Sequence, residues 1–272
     1  MNTNRFEGKV AIITGSSKGI GKAVAIELAK KGASIVLNGR NSIRLKETEN
    51  ELLKIHDRVF CVCSDVSTTE GAARLIEEAA GRFGRIDILV NNAGISAQGF
   101  IANLNPVVFK TVFDLNVIGV MNTTIPALKY LRQTQGSVIF ISSAAGIRGL
   151  PGFSAYGSSK MALRAIAESL RVEESANKVH SGLVFVGFTE NEPDKETISA
   201  DGSMIPLKSR AWKGVQPVSS VAKAIVRNIE RRKFITVLSP VGKLNYVMQS
   251  YFPFLVDFVI RKNIRNFEKR SN

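Results

Sequence analysis

The feature that most constrains this chain is a glycine turn, Gly15-Ser16-Ser17-Lys18-Gly19-Ile20-Gly21, set between an apolar run at 10–14 and a helical pattern that starts at once. Glycines at these three positions let the backbone turn sharply and approach a pyrophosphate closely. The helix that follows presents free N–H groups to such an anion. A glycine-rich turn alone says little; between the first strand and first helix of a regular α/β alternation it says much more.

That alternation is present. Short β-branched runs at 34–37, 59–62, 86–91 and 137–142 are separated by segments of helical period at 20–31, 43–55, 69–83 and 106–132. A longer helical pattern covers 154–177, followed by a strand at 180–186, a helix at 217–232 and a last strand at 234–238. The order predicts an α/β fold: a single doubly wound domain with a parallel sheet of about seven strands, covered on both faces by right-handed crossovers. Residues 187–215 read differently, being polar, punctuated by Gly and Pro, and without period. A stretch of this length in a compact domain is commonly functional, and a lid is expected. The domain is expected to span 1–239 with that lid, and 240–272 to form a C-terminal extension.

With 272 residues, 44% apolar and 22% charged, the chain can bury the core of one large domain and does not read as disordered. Its polar first residues run straight into a strand, so no secretory signal is visible and a cytoplasmic location is expected. No apolar run reaches the roughly 18 residues that span a bilayer. Cys61 and Cys63 would share one face of a strand and read as buried free thiols. His56 and His180 have no partners at ligand spacing, and no metal is expected. The net charge of +14 is unevenly placed: residues 195–272 hold 15 basic and 5 acidic residues, and so +10 of it. Such a segment suits anionic lipid, nucleic acid or an acidic partner. It contains no recognisable nucleic-acid module, so a solvated basic surface is the plainer reading and nucleic acid is not expected as a partner.

The second strand carries a cofactor argument. A site for an unphosphorylated ribose places Asp or Glu at the end of this strand, to accept from the two hydroxyls. Here the strand ends Leu37-Asn38-Gly39-Arg40-Asn41, without a carboxylate. Arg40 offers a planar fork suited to a 2′-phosphate, and Lys18 in the glycine turn supplies a second positive charge. NADP(H) is therefore favoured over NAD(H).

After the fifth strand come Ser142-Ser143, then Tyr156-Gly157-Ser158-Ser159-Lys160. A Tyr and a Lys four apart share a helix face. A free phenol has a pKa of ~10 and is a poor base near neutrality, whereas a neighbouring ammonium favours the phenolate. A Ser hydroxyl beside it can hold a substrate oxygen while charge develops there. Alone, Tyr-x-x-x-Lys is a weak motif; its place in the order of strands and turns makes it informative.

At this point the chain resembles the short-chain dehydrogenase/reductase family, over residues 8–189, in motif order and spacing. The glycine turn matches the family's cofactor turn, and Asp65-Val66 the pair that meets the adenine. Asn91-Asn92-Ala93-Gly94 matches the motif that stabilises the fourth strand and approaches the ribose. Asn116 matches the family's catalytic Asn, which helps hold a proton-relay water. Ser143 matches the catalytic Ser, and Tyr156 and Lys160 the active-site pair, with Lys160 also gripping the nicotinamide ribose. The resemblance implies a Rossmann-type enzyme that moves a hydride between NADP(H) and a carbonyl or alcohol, with Tyr156 handling the proton. It assigns cofactor contacts to Gly15, Ser17, Lys18, Gly19, Ile20, Arg40, Asn41, Asp65, Val66, Asn92, Ala93, Gly94, Tyr156, Lys160 and Thr189. It also implies a homodimer or homotetramer built on the helices at 106–132 and 154–177. An idle dinucleotide-binding protein is the rival reading, and the presence of Ser143, Tyr156, Lys160 and Asn116 argues against it.

One departure stands out. Where the family has Pro-Gly, with Thr four residues past the Gly, this chain reads Val186-Gly187-Phe188-Thr189-Glu190-Asn191. Backbone contacts from Thr189 remain compatible with the cofactor, but the lid beyond is unfamiliar. The tail is the second unfamiliar feature. The stretch 251–260 is densely apolar nearly all round a helix, and Arg261-Lys262-Asn263-Ile264-Arg265 follows. Three readings stay open: a roof over the substrate pocket or a subunit interface, a peripheral contact with a lipid interface, or an exposed tail. A hydrophobic substrate is expected, a steroid, a retinoid or a long-chain keto-lipid such as 3-ketosphinganine. A small-ketone or 3-oxoacyl reductase is the alternative.

Overall fold

The computed structural model describes residues 5–207 and 214–264. Part of the expected lid and the basic residues from Arg265 onward lie outside the described residues. The strands are β1 (Val10–Ile13), β2 (Ser34–Gly39), β3 (Val59–Cys63), β4 (Ile88–Asn91), β5 (Ser137–Ser143), β6 (His180–Val186), β7 (Glu196–Ile198), β8 (Met204–Pro206) and β9 (Ile235–Val237). The helices are α1 (Gly19–Ala29), α2 (Ser42–Leu53), α3 (Thr69–Phe83), α4 (Pro106–Phe113), α5 (Gly119–Thr134), α6 (Ser154–Glu173), α7 (Val218–Arg231), α8 (Pro240–Tyr251) and α9 (Pro253–Lys262). Seven strands pair in the order β3-β2-β1-β4-β5-β6-β9, all parallel, as the alternation predicts.

Two apolar layers sandwich the sheet. On one face Val24, Ala25 and Leu28 of α1 meet Val221, Ala222, Ile225 and Ile229 of α7. On the other, Leu75, Ile76 and Ala79 of α3 pack with Ala127 and Leu131 of α5 and Leu163 and Ala167 of α6. Phe140 and Phe185 are fully buried in this second layer; truncating either to Ala would cost about 3–5 kcal/mol. The amino ends of β1 and β4 are clamped by buried Asp87. It accepts from the Val10 N–H at 2.9 Å and from both sides of the Arg85 guanidinium at 2.8 and 2.7 Å. The sheet order reverses between β1 and β4, and ligands of such sheets bind at the carboxyl edge of that point.

Four expectations need correcting. The expected helix over 106–132 is broken into α4, a π-helical turn at Asp114–Ile118, and α5. The apolar pattern runs through Val112, Phe113, Leu115, Val117, Ile118 and Val120 without a gap, so periodicity hides the extra residue. The expected irregular lid holds an antiparallel hairpin, β7 with β8, whose strands are too short to show an alternation. The apolar tail is two helices, because Pro253 starts a new one and cannot donate to the helix before it. Finally, Cys63 is exposed rather than buried, since β3 is the sheet's edge strand; Cys61 is half-buried, and burial pushes its thiol up to about 12.

Candidate active site

The glycine turn is built by reciprocal backbone and side-chain bonds rather than by glycine alone. The Asn92 amide donates to the carbonyls of Thr14 and Gly15, each at 3.0 Å. The N–H groups of Asn92 and Ala93 both donate to the Thr14 hydroxyl at 3.0 Å. Each glycine then has its own reason. Gly15 has φ +62°, and a Cβ there would lie 2.9 Å from the Ala93 Cα. A Cβ on Gly21 would lie 2.3 Å from the Gly15 carbonyl oxygen. Gly19 has φ +58° with open space beside it, which is the cradle an incoming pyrophosphate needs at the start of α1. Asn38, buried at the end of β2, donates to the carbonyls of Val62 and Ser64, so β2 and β3 reach the cleft in fixed register.

Around this turn the structure gathers Ser17, Lys18, Ile20, Arg40, Asn41, Asp65 and Val66. Asn41 caps α2, its side chain accepting from the Arg44 N–H at 3.0 Å. Arg40 lies 3.6 Å from the Asp65 carboxylate, and Lys18 3.1 Å from that of Asp194. The capping places Arg44, which the sequence reasoning missed, at 2.6 Å from the same Asp194 carboxylate. A cation in the first turn of an exposed helix looks like any solvated Arg, so only its position four residues past Arg40 could have signalled it.

The second cluster lies where β4, β5 and α6 converge. Asn116 sits in the π-helical turn and is fully buried. Its side chain accepts from the Ile95 N–H at 2.9 Å, and donates to the Ile95 carbonyl at 2.9 Å and to the Ser159 hydroxyl at 3.0 Å. That amide is thus committed to the exit loop of β4 and to α6; single π turns of this kind recur at functional sites. Ser143 ends β5 half-buried, its hydroxyl accepting from the Ala145 N–H at 3.2 Å. Tyr156 stands half-buried in the first turn of α6, and the Lys160 ammonium lies 5.9 Å from the centre of its ring.

Lys160 is buried, and its ammonium donates to the Ile141 carbonyl at 3.0 Å. Burial, helped by the charge of Lys195, pushes it down from its ordinary value to about 8. A Cβ on Gly94 would stand 3.0 Å from the Asn116 amide oxygen and 3.3 Å from the Lys160 nitrogen, so a side chain here would crowd both. The open ground at Gly19, the bare backbone at Gly94 and the cations beside β2 fit a dinucleotide laid from the glycine turn to Lys160. Thr189 is buried at the start of the lid, which is pinned by mutual backbone bonds between Phe188, Glu190 and Gln216.

The end of β7 is stitched to the loop that leaves β4. The Ile198 N–H donates to the Ser96 carbonyl at 2.9 Å and the Gln98 N–H to the Ile198 carbonyl at 2.9 Å. Arg148, just beyond the turn that follows Ser143, donates to Gln249 at 2.8 Å and to Asp257 at 2.7 Å, tying α8 and α9 to the cleft. Above this tie Tyr251, Phe254, Phe258 and Val259 are exposed. Among the described residues no helix is long and apolar enough to cross a membrane.

The chain is similar to known dehydrogenases in sequence and in fold. A family model described as short chain dehydrogenase matches residues 9–201. The 11-beta-hydroxysteroid dehydrogenase 1A of Arabidopsis thaliana is 33% identical over 93% of this chain and 75% of its own length. The 3-ketodihydrosphingosine reductase of Bos taurus is 33% identical over 89% of this chain and 74% of its own. Among solved structures, an alcohol dehydrogenase from the archaeon Thermococcus sibiricus, complexed with 5-hydroxy-NADP, superposes with a TM-score of 0.76 at 29% identity. It covers 86% of this chain and 97% of its own.

Proposed function

Because this chain belongs to the short-chain dehydrogenase family, and so is an oxidoreductase acting between CH–OH and C=O groups with a nicotinamide cofactor, we propose that it is an NADP(H)-dependent reductase of a hydrophobic carbonyl compound. The observation that carries the reading is the buried Lys160 ammonium one turn below Tyr156. The cofactor, when bound, supplies or receives the hydride. Tyr156 holds the proton that meets the substrate oxygen, and Ser143 orients that oxygen. Lys160 lowers the cost of negative charge on the phenol and reaches the nicotinamide ribose. Asn116 holds the β4 exit loop and α6 in one frame, so that Ile95, Ser159 and Lys160 keep fixed places.

Three cations and no carboxylate at the end of β2 favour a phosphorylated ribose: Lys18, Arg40 and Arg44. Two bulky groups support a hydrophobic substrate, exposed Phe188 at the lid's start and the apolar helices tied to Arg148. In this reading the C-terminal extension, described over 240–264, is an appendage docked on the domain before it. Its face of Tyr251, Phe254, Phe258 and Val259, beside Arg261 and Lys262, rests on an anionic lipid surface. A second copy of the chain covers Val107, Ile118 and Ile125 on α4, the π turn and α5, and Met161 on α6, all exposed here. A spectrophotometric screen of NADPH oxidation across steroids, retinoids, long-chain keto-lipids and small ketones tests the substrate. Turnover of small ketones alone would overturn the hydrophobic reading. Light scattering tests the dimer or tetramer, and vesicle co-sedimentation of the full chain against one stopped at Ser239 tests the lipid contact.

A further inference from the structure

The anion-binding ground beside the glycine turn is already in contact with the lid. Glu192 accepts from the Gly19 N–H at 3.3 Å, the group that opens α1. Two residues on, Asp194 lies 3.1 Å from the Lys18 ammonium and 2.6 Å from the Arg44 guanidinium. A backbone turn, in which the Lys195 N–H donates to the Glu192 carbonyl, presents both carboxylates to the same side. Hydrogen bonding from Lys18 and the nearby Arg44 hold Asp194 below the usual carboxylate range, so it is an anion at any neutral pH. The lid therefore sets one negative group on the helix N-terminus and another between two of the cations proposed for the ribose phosphate.

We infer that Glu192 and Asp194 are an internal stand-in for the cofactor's phosphates, a latch that NADP(H) must displace from Gly19, Lys18 and Arg44 before it binds. The inference rests on the reading of this site as one for NADP(H). The latch segment continues directly into β7, whose end is bonded to the Ser96–Gln98 stretch on the substrate side. Displacement at the phosphate end thus pulls on the strand that borders the substrate. Lys195 stands between the two ends, and its charge adds to the burial that disfavours charge on Lys160.

Exposed ion pairs are individually weak, so the latch is a modest brake rather than a lock. A resting state in which about one molecule in ten is open weakens the apparent affinity about tenfold. Titration of NADPH fluorescence should therefore show the Glu192→Gln/Asp194→Asn double variant binding roughly 3–30-fold more tightly than wild type. Asp201→Asn is the control for lid charge, because Asp201 closes its own turn through Ser203 and Ser199, away from Gly19, Lys18 and Arg44; it should bind as wild type does. A double variant that binds NADPH no more tightly than wild type overturns the latch, as does an equal gain in Asp201→Asn. Failure of the cofactor reading looks different: wild type would bind NADH at least as tightly as NADPH, whatever the double variant does.

Discussion

The two edges of the sheet each bury a basic side chain and treat it differently. At the amino edge His180 opens β6, with one ring nitrogen 3.2 Å from the Ser137 hydroxyl and the other 3.0 Å from the Lys233 carbonyl. A neutral imidazole has one donor and one acceptor, and both are used. Burial holds it down at about 4, so it is uncharged near neutrality and its burial is inexpensive. At the carboxyl edge Lys160 is pushed down only to about 8, and so keeps its charge at pH 7 while donating to the Ile141 carbonyl, with no carboxylate in salt-bridge range among the described residues. Unpaired buried charge is costly, and a fold built for stability alone would not retain it. The difference separates a side chain that finishes a structure from one kept for chemistry.

The comparison breaks most sharply at Tyr156. Tyr156→Phe should lower kcat by about 10²–10⁴-fold while leaving the melting temperature and NADPH affinity in place. Full turnover by that variant would remove the chemical role of the carboxyl edge. Next is Lys160→Met, which should abolish activity yet stabilise the cofactor-free protein by on the order of 2 kcal/mol in urea denaturation at pH 7. The pH dependence has a definite sign. The folded value of about 8 lies below the ordinary 10.5, so stability rises between those pH values and is lost as pH falls through 8. The Met variant should lack that rise, and an unchanged slope would mean that Lys160 is not the buried cation. A third, smaller effect is expected from Arg40→Ala: roughly tenfold weaker NADPH binding with NADH binding unchanged, read by fluorescence titration.

The smallest effect sharpens the amino edge. His180→Gln should cost about 1–2 kcal/mol at pH 7 through its lost bonds, with no change in kcat. With a folded value of about 4 against 6.5, wild-type His180 contributes stability above pH 6.5 that is lost as pH falls through 4. The difference between wild type and variant in urea midpoints should therefore shrink from pH 7 to pH 4. A constant difference would show that His180 does not titrate with folding.

What was legible in the sequence follows the same division. The glycine turn, Tyr156 and Lys160 could be read because each depends on local spacing: three glycines in one turn, and two side chains one helical turn apart. The seven-stranded order could be read because buried parallel strands are continuous apolar runs. Arg44, Glu192, Asp194 and Arg148 could not, because each acts through an ion pair or hydrogen bond to a residue distant in sequence, and such a partner leaves no period. Arg148 and Asp257, for example, are 109 residues apart. The β7–β8 hairpin escaped for a different reason, having three residues in each strand.

The π turn at Asp114–Ile118 carries a consequence for what this sequence can tolerate. Each residue of a helix advances its side chains by about 100° around the axis. The turn holds one residue more than an α-helix would, so everything after it is phased by that surplus. Deleting a single residue there would let the helix close regularly, and would look harmless to any measure of helical propensity. It would also swing Thr123, Ala127 and Leu131 away from the core they now fill, and carry Asn116 off Ile95 and Ser159. The surplus residue is therefore a frame marker: the length of this helix, not only its composition, is held by the site at its bend.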